Sequence, residues 1–210
     1  MRAVIFDLDG TLWETLDCNY ECMNEVSKKY NLGKIDRDII CKNYGNSKEQ
    51  SAKLFFPNLP LEEACKILDE SDALNIKKLT ESGAYIYPGL EETLFRLKQK
   101  YDLYIVSNTA TKKYIEAFLI STKLFKYFND YYAASEIHLE KGKTIIKLMD
   151  DYYIDEAIYV GDTKIDFEAS IRAKIPFIQC LYGFGEELDC KYKINDISEL
   201  PDKVDFIFEN

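Results

Sequence analysis

The chain has 210 residues, of which 47% are hydrophobic and 30% are charged. This length is enough for one domain with its own core, or for a core with a small appendage. The charged fraction is typical of a well-solvated surface. The formal net charge of −10 argues against nucleic acid or an anionic membrane as the main partner, because their phosphates would be repelled. A bound metal ion could still reverse the charge locally and admit a phosphate ester.

No apolar run is long enough to predict a membrane-spanning helix. The N-terminal apolar stretch is short and is interrupted by charges, which is not typical of a signal peptide. We therefore expect a cytoplasmic protein whose six cysteines are reduced thiols. The sequence leaves the oligomeric state open between monomer and homodimer.

Short apolar runs rich in branched and aromatic residues alternate with helical patterns along the chain. The runs predict buried strands at 3–6, 103–106, 157–160 and 175–181, with a weaker one at 131–134. Apolar residues at helical spacing lie between them, for example Leu90, Leu94 and Leu97. This alternation predicts an α/β fold with a Rossmann-like, doubly wound parallel sheet.

Residues 16–83 differ, because they contain no good strand pattern. Gly33, Gly45 and Gly83 indicate helix ends, residues 47–50 have the form of a capping box, and Pro60 indicates a helix start. We therefore expect an all-helical domain at 16–83, inserted after the first strand, and an α/β core formed by 1–15 and 84–210.

Two carboxylates, Asp7 and Asp9, follow the first predicted strand and precede Gly10 and Thr11. One carboxylate could attack phosphorus and form an aspartyl-phosphate, while the other exchanges protons with the leaving group and water. Asp and Gly after a strand also form ordinary turns, so this motif alone leaves the structural interpretation open.

Polar residues follow the later strands as well. Ser107-Asn108-Thr109 could bind a phosphoryl oxygen at a helix start, or could simply cap that helix. Lys141 could neutralise the transferring phosphoryl group, and Lys143 is a rival for the same role. Most lysines, however, are solvated surface residues.

A second carboxylate pair, Asp162 and Asp166, follows the strand predicted at 157–160. Together with Asp7, this pair could ligate a hard cation through oxygen, and Mg²⁺ fits because it shares its coordination shell with water and phosphate. Ligands bind beyond the carboxyl ends of strands in open α/β sheets, so these separated motifs are expected to converge. The alternative is that Asp162 caps a helix and Asp166 is a surface residue.

Over nearly its whole length the chain resembles the haloacid dehalogenase-like hydrolase superfamily, within it the phosphoglycolate-phosphatase-like branch. The motifs that carry this resemblance are residues 7–11, Ser107-Asn108, Lys141, and Asp162 with Asp166. The helical insert is similar in placement and size to the small helical cap of that family. Lys141 is followed by Gly142, where relatives often have proline, so Lys143 stays an alternative.

The resemblance implies a role for each motif. Asp7 would be the nucleophile, Asp9 the general acid and base, and Lys141 a phosphate-binding catalytic residue. Mg²⁺ would lie on Asp7, the Asp9 carbonyl and Asp162, with Asp166 nearby or orienting Lys141. The remaining residues implied to contact phosphate or substrate are Gly10, Thr11, Ser107, Asn108, Gly45 and Asn46.

These features favour an Mg²⁺-dependent phosphatase that acts on a small soluble phosphate monoester, such as a phosphoglycolate-like compound, a sugar phosphate or a nucleotide. A β-phosphoglucomutase-like phosphomutase and a pyrophosphatase are alternatives, and a non-catalytic domain is a weaker one. A dehalogenase is disfavoured, because Asp9 would protonate an alkoxide and a halide leaving group needs no proton.

Overall fold

The computed structural model describes residues 1–108 and 111–210, and a six-stranded sheet dominates this part of the chain. The strands in chain order are β1 (Arg2–Phe6), β2 (Trp13–Glu14), β3 (Tyr85–Ile86), β4 (Asp102–Ser107), β5 (Asp130–Ala133), β6 (Glu156–Gly161), β7 (Phe177–Cys180) and β8 (Tyr192–Ile194). The large sheet has the order β5-β4-β1-β6-β7-β8, and all of its pairings are parallel. The predicted doubly wound parallel sheet is therefore confirmed.

Nine α-helices lie within the described residues. They are α1 (Leu16–Lys29), α2 (Arg37–Cys41), α3 (Lys48–Phe55), α4 (Leu61–Ser82), α5 (Leu90–Lys98), α6 (Lys112–Ser121), α7 (Lys141–Asp151), α8 (Lys164–Ala173) and α9 (Leu200–Glu209). The capping box expected at 47–50 is confirmed, since Ser47 and Gln50 exchange side-chain and backbone hydrogen bonds at the start of α3. None of these helices is long and apolar enough to cross a membrane.

Both faces of the large sheet are covered, because alternate side chains of each strand point to opposite sides. In β1, Val4 and Phe6 pack in the cluster that includes α5, α6 and α9, whereas Ala3 and Ile5 pack in the cluster that includes α7 and α8. A strand buried on both faces is apolar at every position, which explains the continuous run in the sequence.

The chain between β2 and β3 contains α1 to α4 and forms a third apolar cluster, which includes Met23, Ile67 and Leu68. The antiparallel pair of β2 and β3 closes this segment at its base. Leu79, near the end of α4, belongs instead to the cluster under the sheet, so α4 links the helical segment to the α/β part. We call residues 16–82 the helical segment below.

Strand β1 lies between β4 and β6, and this position determines where the polar motifs meet. The chain leaves β1 toward one side of the sheet and returns on the other, which creates a crevice at the carboxyl ends of the central strands. Asp7 directly follows β1, Asp162 directly follows β6, and Ser107 ends β4. The topology thus brings the motifs to one edge of the sheet.

Helix α6 offers a test of this packing with two isoleucines in different environments. Ile115 is fully buried in the core, whereas Ile120 is 68% exposed. We expect Ile115→Ala to lower the free energy of unfolding by about 2–5 kcal/mol, because it removes buried methyl groups and leaves a cavity. Ile120→Ala, the matched control, should change it by less than about 0.5 kcal/mol. Urea unfolding measures both values, and equal losses would contradict the orientation of α6.

Candidate active site

A buried lysine lies at the centre of the crevice. Lys141 is the first residue of α7, and its side chain is only 3% exposed. Its Nζ donates hydrogen bonds to Asp7 Oδ1 at 2.7 Å and to Asp166 Oδ1 at 2.6 Å. A buried ammonium group requires such partners, because burial without them would cost several kcal/mol.

The glycine after this lysine has a structural reason. A Cβ atom on Gly142 would lie 2.9 Å from the Cβ of Arg172 and 3.1 Å from the carbonyl oxygen of Ala169, both in α8. Only glycine therefore allows α7 to approach α8 this closely at its first turn. That approach brings Lys141 to Asp166, so Gly142 serves the same placement as the lysine.

Asp166 is held by hydrogen bonds to both of its carboxylate oxygens. Its Oδ2 accepts from Thr163 N at 2.9 Å and from Thr163 Oγ1 at 2.7 Å, which forms a capping box at the start of α8. Its Oδ1 accepts from Lys141 and, at 3.4 Å, from the Tyr159 hydroxyl. The alternative of a surface position for Asp166 is therefore wrong, because the residue is completely buried and accepts a hydrogen bond from Lys141, as its expected orienting role requires.

Asp162 is fixed by backbone groups of the loop after β7. Its Oδ2 accepts from Phe184 N at 2.7 Å and from Gly185 N at 3.3 Å. Thr11 Oγ1 lies 3.5 Å from the other oxygen, Oδ1. A Cβ atom on Gly183 would overlap the Asp162 side chain, so this loop can wrap the carboxylate only with glycine at that position.

Asp7, Asp162 and Asp166 form a group of buried carboxylates that fits a metal ion. Each offers an oxygen, and these oxygens lie within 4.8 Å of one another. Lys141 neutralises one of the three carboxylates, which leaves two formal negative charges in the pocket. A divalent cation with a preference for oxygen would balance them.

The pKa values of these groups reflect the same imbalance. Burial raises the pKa of Asp7 to about 7, with Asp166 and Asp9 adding to the shift and Lys141 opposing it. Burial and the charges of Asp166 and Asp7 raise the pKa of Asp162 well above its usual range. Burial alone would lower the pKa of Lys141, but the charges of Asp166 and Asp7 raise it, so this ammonium group stays protonated.

Asp9 faces a different set of donors. Its Oδ1 accepts a hydrogen bond from Trp13 Nε1 at 3.0 Å and another from the Tyr114 hydroxyl at 3.0 Å. The side chain is buried, and its carboxylate is not part of the group of three carboxylates found in the described chain. Two donors on one oxygen fix the orientation of this carboxyl group beside Asp7.

The other predicted contacts have varied placements. Gly10 N donates to the Trp13 carbonyl at 3.0 Å, and the Thr11 hydroxyl is directed to Asp162. Ser107 is buried at the end of β4, as the prediction of a site at the carboxyl end requires. Thr109, the third residue of that motif, lies outside the described residues. Helix α6 is capped by Thr111, whose side chain accepts a hydrogen bond from Tyr114 N.

Asn108 connects the sheet to the helical segment, since its Nδ2 donates to the Gly45 carbonyl at 2.8 Å. Gly45 lines the cavity beside the site. Asn46 is directed elsewhere, because its Nδ2 lies 3.5 Å from Asn43 Oδ1 and the residue is not part of the cavity lining. The structure thus places Gly45 and Asn108 at the site but not the side chain of Asn46.

Lys143, the rival of Lys141, lies on the surface. Its side chain is 59% exposed, and its Nζ lies 3.8 Å from Glu140 Oε1. The two lysines are on α7 but point in different directions, since positions two apart on a helix do not share a face. Only Lys141 is directed into the crevice.

A cavity of about 1260 Å³ opens between the helical segment and the sheet edge. Asp9, Asn108 and Lys141 form part of its wall on the sheet side. Next to it, the ring of Tyr44 stacks on the ring of Phe184, with 4.0 Å between their centroids. The space is large enough for a small organic molecule held over the carboxylates.

The hydrogen-bond donors that hold Asp9 and Asp162 in place were not predicted from the sequence. Trp13 is an apolar residue whose presence its burial would explain, but its ring N–H also donates to Asp9. Tyr114 carried no recognisable signal, because its contact with Asp9 joins residues 105 positions apart in sequence. The order of the four motifs along the chain was the only available indication of the site.

Comparison with known proteins agrees with this arrangement. The chain is 22% identical over 211 residues to a phosphoglycolate phosphatase of Rhodobacter capsulatus, with 97% of this chain and 96% of that protein covered. It is 24% identical to a phosphoglycolate phosphatase of Escherichia coli strain K12, with coverages of 90% and 85%.

The fold is also similar to that of solved structures. A haloacid dehalogenase-like hydrolase from Streptococcus pneumoniae superposes with a TM-score of 0.82 at 22% identity, covering 98% of this chain and 97% of that one. The family model described as haloacid dehalogenase-like hydrolase matches residues 4–180. Because that match includes most of the chain and all of the clustered carboxylates, the protein belongs to the haloacid dehalogenase-like hydrolases.

Proposed function

We propose that this protein is an Mg²⁺-dependent phosphatase that hydrolyses a small soluble phosphate monoester through an aspartyl-phosphate on Asp7. The observation that carries the proposal is the buried bridge of Lys141 between Asp7 and Asp166, with Asp162 beside it. A protein that only binds a ligand would not require Asp7, Asp9 and the buried ammonium group of Lys141 together in one crevice. The full-length similarity to proteins named phosphoglycolate phosphatase supports the same reaction class.

Asp7 is the proposed nucleophile. One of its oxygens forms a bond to phosphorus while the bond from phosphorus to the ester oxygen breaks, which yields the acyl phosphate and an alkoxide. Lys141 lies 2.7 Å from Asp7 Oδ1, close enough for its positive charge to stabilise the negative charge of the transferring phosphoryl group. Asp166 keeps the lysine in this position.

Asp9 is the proposed general acid and base. As a carboxylic acid it gives its proton to the departing alkoxide, and as a carboxylate it then accepts a proton from water. That water oxygen attacks the phosphorus of the acyl phosphate, which releases inorganic phosphate and restores the Asp7 carboxylate. The hydrogen bonds from Trp13 and Tyr114 support this role, because they hold the group in one orientation for both steps.

The carboxylates of Asp7 and Asp162 would hold Mg²⁺, with the backbone carbonyl of Asp9 as a further ligand and Asp166 close by. When bound, the ion supplies positive charge to the phosphate oxygens and lowers the repulsion between phosphate and nucleophile. The uncompensated charge of the carboxylate group supports this assignment. Oxygen ligands favour Mg²⁺ over softer metals.

The helical segment is the proposed cap domain (16–83), closing over a core formed by 1–15 and 84–210. The remaining proposed contacts to phosphate or substrate are Gly10, Thr11, Ser107, Asn108 and Gly45. A substrate enclosed under such a cap must be small, which disfavours nucleic acid and membrane surfaces. The six free thiols fit a reducing compartment, so we propose a cytoplasmic location.

Replacement of the nucleophile is the first test. Asp7→Asn should lower kcat by about 10³-fold or more, because an amide oxygen is a poor nucleophile, while the fold is retained. Phosphate release from a panel of small esters measures the effect, and acid-quenched enzyme should carry covalent phosphate only in the wild type. The exposed Asp150→Asn is the matched control and should keep full activity. An active Asp7→Asn variant, or isomerisation of a hexose phosphate in place of phosphate release, would contradict the proposal.

The two lysines of α7 give a second test. Lys141→Ala should reduce kcat/KM by about 10²–10³-fold, since it removes a preorganised positive charge from the transition state. Lys143→Ala should change it by less than about threefold, because that side chain is exposed and lies away from the crevice. Circular dichroism verifies that both variants are folded. The reverse order of effects would assign the phosphate-binding role to Lys143.

Removal of the metal is the third test. EDTA should abolish phosphate release and added Mg²⁺ should restore it, because without the ion two negative charges in the pocket repel the substrate. Asp162→Asn should raise the Mg²⁺ concentration needed for half-maximal activity by about tenfold or more. Activity that is indifferent to chelation would count against the metal assignment.

A further inference from the structure

The cavity described above has a wall that the proposed reaction does not use. If phosphorus is held at Asp7 and Lys141, the rest of the substrate extends toward the helical segment, which forms the opposite side of the cavity. One face of α4 forms part of this wall, with residues at helical spacing. They are Leu68, Asp69, Ser71, Asp72 and Asn75.

This face carries two carboxylates, of which Asp69 pairs with Lys48 and Asp72 does not. Asp72 is half-buried, and no hydrogen bond or ion pair to its carboxylate exists among the residues that the structure describes. Burial, and then repulsion from Asp69, raises the pKa of Asp72 to about 7 despite the proximity of Lys48. Above about pH 7 this carboxylate therefore carries a negative charge, and no ion pair with a described residue compensates it.

The cations of the same cavity are already engaged. Within the described chain its lining includes Lys48, Lys141 and Arg172 as charged bases, with His138 as an exposed imidazole. Lys48 pairs with Asp69, and Arg172 pairs with Glu140 at 2.8 Å. Lys141 pairs with Asp7 and Asp166 at the phosphate end.

Charge balance in this space selects between substrates. A second anionic group on the substrate would meet Asp72 without an uncommitted lysine or arginine to pair with, and such a juxtaposition of like charges is unfavourable. A hydroxyl or an ammonium group would instead donate a hydrogen bond to the carboxylate, and hydrogen bonds with a charged partner are the stronger ones. Its neighbour Asn75 is less available, because it is engaged with Asn19 and Cys18.

We propose that Asp72 is a specificity-determining residue, which selects phosphate monoesters whose alcohol part donates hydrogen bonds and carries no negative charge. This inference rests on the proposed phosphatase function and narrows its substrate class. It predicts that phosphoglycolate, the substrate in the names of these relatives, is a poor substrate for this chain, because that compound carries a carboxylate beside its phosphate.

The test compares three small esters of similar size in the presence of Mg²⁺: glycerol phosphate (neutral hydroxyls), phosphoethanolamine (an ammonium group) and phosphoglycolate (a carboxylate). For the wild type, kcat/KM should be at least about tenfold lower for phosphoglycolate than for the better of the other two. Asp72→Asn should reduce that difference by about tenfold, because the amide keeps the shape and removes the charge. Glu63→Gln, which neutralises an exposed carboxylate of α4 outside the cavity, should leave it unchanged.

An aryl phosphate, whose leaving group needs little protonation, distinguishes failure of the phosphatase function from failure of the role of Asp72. Wild-type protein that releases no phosphate from the aryl phosphate or from any of the three esters contradicts the phosphatase function itself. Protein that hydrolyses the aryl phosphate but prefers phosphoglycolate, or an Asp72→Asn variant with an unchanged order of substrates, overturns the role of Asp72 alone.

Discussion

The site depends on one ammonium group buried among carboxylates. Lys141 can stay charged in the interior because Asp7 and Asp166 accept its hydrogen bonds. Asp7 follows a central strand, and Asp166 lies on the neighbouring helix α8. An unpaired charge in this position would be strongly destabilising, so the packing of α7 against α8 and the position of β1 in the sheet are tied to this bridge. Gly142, Thr163 and Tyr159 all serve its geometry.

A second consequence of the bridge is electrostatic. One lysine against three carboxylates leaves the pocket negative, in a protein whose net charge is already −10. Such a pocket would repel a phosphate ester in the absence of a cation. In the proposed reaction, a divalent ion on these carboxylates would balance this charge and allow a phosphate ester to approach.

Much of the fold was predictable, because strands buried on both faces leave continuous apolar runs such as residues 3–6. The convergence of the polar motifs followed from parallel strands, whose carboxyl ends share one edge. Strand β8 was not predicted, because three residues at the sheet edge carry no periodic signal. The small ribbon of β2 and β3 was also missed, since two residues per strand are too few.

The site was less predictable than the fold. The acidic residues were identified because their spacing along the chain was informative, whereas the donors that orient them were not. Near the C-terminus, Asp196 caps the short 3₁₀ turn at Ile197–Glu199 by accepting from Ser198 N, a local contact that was not predicted from the sequence. The side chain of Asn46 is directed to Asn43, a contact within its own turn that spacing does not reveal.

Phe184 contacts both the carboxylate site and the helical segment. Its amide holds the Asp162 carboxylate, while its ring lies flat on Tyr44 of the helical segment. Any hinge rotation that lifts the helical segment must slide these rings apart and break the bond between Asn108 and Gly45. The backbone of the loop after β7 is then released on one side, next to the carboxylate it positions. Phe184 would in this way make the order of the Asp162 carboxylate depend on the position of the helical segment.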